Sequence, residues 1–132
     1  MSRFLQLLSI FFIFAGNVYA AADSPGIARV DGGRLLRLCE SAQRLIDGQS
    51  LAAAEREDAQ LCIGFIEGFV WGHGWEAWRR GEDMYFCPPE GFGYLQGVPA
   101  VTSYLRAHPD RHIQRAHLLL FSALSSAYSC AP

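Results

Sequence analysis

From Gly33 to Ile46 the apolar positions Leu35, Leu38, Cys39, Ala42, Leu45 and Ile46 recur three and four residues apart, which predicts a one-sided helix. Asp31 or Gly32 stands near its cap, and Asp47-Gly48 ends it, glycine being free to turn left-handed past the last turn. Ser50 is the expected cap of a second helix, whose alanine-rich, charged first turns run from Leu51 to Gln60. A third helix is expected from Tyr94 or Gln96 to Ala107, with Val101, Tyr104 and Leu105 inward and Pro99 in its first turn, where a missing N–H costs little. A fourth is expected to start with Pro109 and to bury the stripe Ile113, Ala116, Leu120, Leu124 and Ala127. Leu118 to Phe121 is apolar all round, as in a segment buried on more than one side. No period-two alternation, low-complexity tract or internal repeat interrupts this pattern.

The densest stretch is Leu61 to Gly91, which continues the second helix to near Gly81 before a Cys87-Pro88-Pro89 bend. Leu61, Phe65 and Phe69 share one face, Trp71, Trp75 and Trp78 an adjacent one, and Gly64, Gly68 and Gly72 run beside them. Three glycines in register, each costing a helix about 1 kcal/mol, suggest a groove for a close neighbour. The tryptophans read first as core and second as a partner surface, with Trp78 at the edge. Lipid-embedded packing of the glycines is opposed by Glu67, His73 and Glu76 in the same helix.

Composition narrows the setting. Residues 1–20 carry Arg3, an apolar run from Phe4 to Ala15 and small residues at Val18 and Ala20, the layout of a cleaved export signal. The run is too short to span a bilayer, which takes about 20 residues. Residues 21–132 are then the mature domain, with ten arginines against 13 acidic residues and a net charge of −3. With no basic run interleaved with aromatics, nucleic-acid binding is not expected. Four cysteines in an exported chain read as two disulfides, with three pairings open by count alone. Spacings of 23, 25 and 43 residues offer no close ligand pair for zinc. The helical layout favours Cys39–Cys62 across the first hairpin and Cys87–Cys130 at the open end of the second. The expected fold is therefore all-α, a small bundle of about four helices stapled by two disulfides.

No catalytic constellation stands out. His108 and His112 have the spacing of a helical metal pair, but Pro109 pushes His108 out of helix, which favours cap and surface roles. His73 near Glu76 reads as helix surface rather than an acid–base pair. Ser122 lacks a nucleophile elbow, and no glycine loop is placed to cradle phosphate. No enzyme activity, metal or cofactor is expected.

Several short motifs keep a common order: Gly33-x-Leu35-Leu36-x-x-Cys39, Cys62-x-Gly64-Phe65-x-x-Gly68, Phe86-Cys87-x-Pro89-x-Gly91, Gln96, Tyr104-Leu105-x-x-His108-Pro109 and Ala123-Leu124-x-x-Ala127-Tyr128-x-Cys130. In these the chain resembles the Rap/Tai family of immunity proteins associated with type VI secretion. Gly97-Val98-Pro99 departs from the helix-friendly run usual there. The resemblance implies a periplasmic helical protein that binds a secreted toxin, commonly a peptidoglycan amidase, and occludes its active site, often as a homodimer and without a cofactor. Partner contacts are then expected on loops: His108, Asp110, Arg111 and His112, and Glu82 with Asp83. The alternative is a general periplasmic stress chaperone or small-ligand-binding helical protein.

Overall fold

In a computed structural model, residues 30–130 are described, and the expected export signal lies outside them. The order is α1 (Gly32–Ile46), α2 (Ala53–Arg80), α3 (Tyr94–Ala107), a 3-10 turn (Pro109–Arg111) and α4 (Ala116–Ala127). Among the described residues the only β pairing is an isolated bridge between Asp31 and Arg115. The all-α bundle and both disulfides therefore match the pattern read from the chain.

Helix α1 starts where its cap says it should, since the Asp31 carboxylate accepts from the Arg34 N–H at 2.8 Å. Its apolar side buries Leu35, Leu38, Cys39 and Ala42 against α2 and α3. Gly48 ends the excursion with φ of 75°. Helix α2 differs at its start from the expectation. Ser50 does not cap it; the Glu55 carboxylate instead accepts from the Ala52 N–H at 2.9 Å and from Arg44 at 2.7 Å. The two glycines flanking His73 produce no break in its 28 residues. It stops at Gly81, whose φ of 68° closes the last turn through N–H bonds to Ala77 and Trp78 carbonyls.

Helix α3 begins at Tyr94, after Gly93, whose N–H is held by the Gln96 side chain at 3.1 Å. Pro99 lies in its second turn, not its first, so the bond that an N–H there would send back to Leu95 is missing. Gly97 explains what fixes this helix: a Cβ there would stand 2.7 Å from Ile66 and 3.1 Å from Phe92. The fourth helix is shorter than expected. Pro109 nucleates only the 3-10 turn, and α4 starts at Ala116, whose N–H bonds the Val30 carbonyl at 2.8 Å. Gly32 N–H to Gln114 O and Gly33 N–H to His112 O complete a clamp between the starts of α1 and α4. Because residues 112–115 are used for that clamp, Ile113 is 90% exposed rather than core. Ala127 and Leu118 are also exposed, while Leu119, Leu120, Ala123 and Leu124 are buried.

Cys39–Cys62 joins α1 to α2 with Cα atoms 5.1 Å apart, and Cys87–Cys130 ties the segment after α2 to the end of α4 at 4.9 Å. Loops of 23 and 43 residues are worth roughly 3–4 kcal/mol each in the chain-entropy model. Beside the second bridge, Cys87 N–H bonds Tyr128 O at 2.7 Å and the Tyr128 hydroxyl donates to Gln96 O at 3.0 Å. Burial raises the Tyr128 pKa.

Candidate functional site

The tryptophan face of α2 departs most from the expected core. Trp71, Trp75 and Trp78 are 78%, 63% and 71% exposed, and Leu61 on the same side is also open. A Cβ at Gly64, Gly68 or Gly72 would meet nothing within 4 Å, so no element of this chain lies against the glycines. The core claims the opposite side, where Cys62 and Ile66 are fully buried and Phe69 and Val70 pack against them. The Trp75 and Trp78 rings lie 4.9 Å apart and form one aromatic plate. Beside it, Val70, Trp71, Gly74, Met84, Pro89 and Phe92 line a groove of about 320 Å³, with Glu67 on its wall.

His73 and Glu76 do not form an acid–base pair. His73 stacks on Phe69 and Phe86, with ring centroids 5.1 and 5.5 Å away, and Phe121 and Tyr85 close the cluster. The Glu76 carboxylate accepts from Arg79 at 2.7 and 2.9 Å and from Arg80 at 2.7 Å. Those two guanidiniums pull its pKa down to about 2. Similarly, the Arg44 guanidinium and then the Ala52 N–H hold the Glu55 carboxyl below its ordinary value. Ser122 donates to Leu118 O within its own helix.

The two loops sit on separate connections, after α3 and after α2, and no hydrogen bond or ring contact joins them among the described residues. In the first, polar atoms are largely committed within the chain. The His108 ring bonds Tyr104 O and the His112 ring bonds Leu105 O, both at 2.8 Å. Arg111 donates to the Tyr104 hydroxyl and to Gln114 at 3.2 Å, with its guanidinium over the Tyr104 ring. Asp110 and Ile113 are left pointing to solvent. The histidines thus terminate α3 and brace the loop, the cap role their spacing around Pro109 suggested. Glu82 and Asp83 are both exposed and border a hollow of about 170 Å³ beyond the end of α2, with Tyr85 and Arg80. Among the described residues no three His, Cys, Asp or Glu gather as metal ligands. No helix there is long and apolar enough to cross a membrane.

The sequence concealed the openness of the tryptophan face, because α2 is apolar around most of its circumference and tryptophan is common in cores. The missed signal lay in the charges. Glu67 stands one helical turn before Trp71, and a carboxylate that close to the tryptophan side is easier to place beside an open face than inside a core.

These features define a small disulfide-stapled helical domain with an open aromatic helix face and two exposed polar loops. The chain belongs to the Rap1a immunity protein family, whose model matches residues 31–130. That family places it among type VI secretion immunity proteins, whose business is with a toxin partner. No curated protein and no solved structure matches the chain.

Proposed function

We propose that the protein is exported to the periplasm by residues 1–20 and there binds a type VI secretion toxin, a peptidoglycan amidase, occluding its active site. The observation that carries this reading is the family match across residues 31–130, nearly the whole mature chain. A rigid scaffold with protruding loops suits occlusion. Two disulfides and the clamp of Gly32 and Gly33 onto residues 112–114 hold the loop bases in place, so little ordering cost falls on binding.

Asp110 and Ile113 at the tip of one loop, and Glu82 with Asp83 on the other, are the side chains free to meet the toxin. His108, Arg111 and His112 act on that contact by holding the loop's shape. Charge at such a rim governs encounter rate and specificity more than affinity. The test is titration of the oxidised chain into a type VI secretion amidase from the same genome, with peptidoglycan hydrolysis as readout. Hydrolysis should fall to zero at saturation, and Asp110→Arg with Ile113→Asp should weaken inhibition while the melting temperature stays within a degree or two. Unchanged hydrolysis at saturating chain contradicts the reading, and unchanged inhibition by the double variant removes this loop from the interface.

A further inference from the structure

We propose that the groove between α2 and the segment following it is the seat of an arginine side chain of the toxin, its guanidinium stacked on Trp71 and paired with Glu67. That the bearer is the toxin rests on the immunity reading; the chemistry of the seat stands without it. The groove holds about 320 Å³, and Val70, Trp71, Met84, Pro89 and Phe92 make its walls apolar. Glu67 is the one charged side chain that lines it. Glu40, Glu55 and Glu76 each hold an arginine of this chain, whereas the Glu67 carboxylate has no hydrogen-bond or ion-pair partner among the described residues. Half-buried, with Oε1 3.9 Å from the place of a Cβ at Gly93, that carboxylate lies against the start of α3.

Every other class of occupant leaves something unsatisfied. An anion would face Glu67 with no basic side chain beside it. An apolar side chain would suit the walls but bury the carboxylate unpaired. A lysine would pair with it, yet its ammonium is a compact, strongly hydrated charge that matches a flat indole poorly. A guanidinium is planar and more weakly hydrated, stacks on tryptophan, and meets a carboxylate through two parallel N–H donors. A free small molecule is disfavoured by the openness of the groove, since sites for such ligands bury roughly 70–90% of them. Here Trp71 is 78% exposed and leaves one wall in solvent. An arginine carried on a folded partner needs no such enclosure, because the contacts around it hold it in place.

The groove also adjoins the loop of Glu82 and Asp83. Met84 lines both it and the hollow of about 170 Å³ that those two residues border. The one basic side chain of that hollow, Arg80, is already paired with Glu76. Carboxylates therefore stand on both sides of Met84, and a basic strip of the partner crossing it meets Glu82 and Asp83 on one side and Glu67 on the other.

The experiment has two arms, both on the mature, oxidised chain. In the first, N-acetyl-arginine-amide is titrated in while NMR follows the Trp71 indole N–H signal, assigned by its loss in Trp71→Phe. That signal should move to saturation, and the same amide of citrulline, the neutral isostere, should bind about tenfold more weakly. The lysine amide should bind about threefold more weakly. Glu67→Gln should weaken binding of the arginine amide about tenfold with unchanged circular dichroism. In the second arm, Glu67→Arg and Trp71→Ala should each weaken inhibition of a type VI secretion amidase from the same genome roughly thirtyfold. A Trp71 signal indifferent to the arginine amide, or equal binding of the citrulline amide, overturns the proposal. So does a Trp71 signal that shifts on dilution of the chain alone, which would put a second copy in the groove. Full inhibition by both variants overturns it as well and leaves the immunity reading standing. A wild type that leaves the amidase active defeats that reading and, with it, the toxin as bearer of the arginine; the first arm alone then decides the seat.

Discussion

The two faces of α2 are almost equally apolar, yet one is the centre of the bundle and the other meets solvent. On the inner face Cys62 is bridged to α1, Ile66 is fully buried, and Phe69 lies beside His73 and Phe86. On the outer face Leu61, Trp71, Trp75 and Trp78 are open and the glycines touch nothing. Apolar character decides only that a face should leave water. Which neighbour covers it depends on where the other helices can reach: α1 and α3 pack against α2, and no part of the described chain comes within 4 Å of a Cβ at Gly64, Gly68 or Gly72. The inner face therefore carries stability, and the outer face is free to carry association.

Five expectations set the two faces against each other. The largest effect should come from the bridge on the inner face: replacing Cys39 and Cys62 by alanine should cost about 2–5 kcal/mol in chemical denaturation. Ile66→Ala should cost a similar amount, about 2–5 kcal/mol, by leaving a cavity beneath Gly97 and Phe92. Next, Gly97→Ala should destabilise by about 1–3 kcal/mol, because its new methyl has no room beside Ile66. Gly68→Ala should instead stabilise by up to about 1 kcal/mol, since only helix propensity changes there. Trp75→Ala, at a position 63% exposed, should stay within about 0.5 kcal/mol of wild type. A large loss from Trp75→Ala would break the contrast between the faces.

The smallest effect is electrostatic. Glu76 has its carboxyl pKa lowered from 4.5 to about 2 by Arg79 and Arg80. A depressed folded pKa stabilises at neutral pH and loses that contribution as pH falls through the folded value. Glu76→Gln should therefore lower the melting temperature slightly at pH 7, and the difference should vanish between about pH 4.5 and pH 2. The group is exposed, so salt should shrink the effect.

Much of the architecture was legible in the chain because it rests on local chemistry. The three-and-four spacing of Leu35, Leu38, Cys39 and Ala42 gave α1, and Asp31 and Gly48 gave its ends. The cysteine spacing, laid on antiparallel helices, gave both bridges. What failed depended on tertiary competition. Pro109 looked like a helix start, but residues 112–114 are drawn into hydrogen bonds with Gly32 and Gly33, and α4 cannot begin before Ala116. The inward role given to Ile113 fell with it. The tryptophan stripe is helical and apolar and so reads first as core and only second as a partner surface, because periodicity cannot tell a face covered by its own chain from one left open. Of the loop residues expected to meet a partner, Asp110, Glu82 and Asp83 are exposed, while His108, Arg111 and His112 spend their polar atoms on the chain itself.

The central claim is that this chain neutralises a toxin in the periplasm by holding on to it. Survival of bacteria that export a type VI secretion peptidoglycan amidase to their periplasm tests that most directly, with the full chain supplied beside a version lacking residues 1–20. The account predicts that the full chain prevents lysis and the shortened one does not. Lysis at the same rate with and without the full chain, confirmed as exported and oxidised, would contradict it.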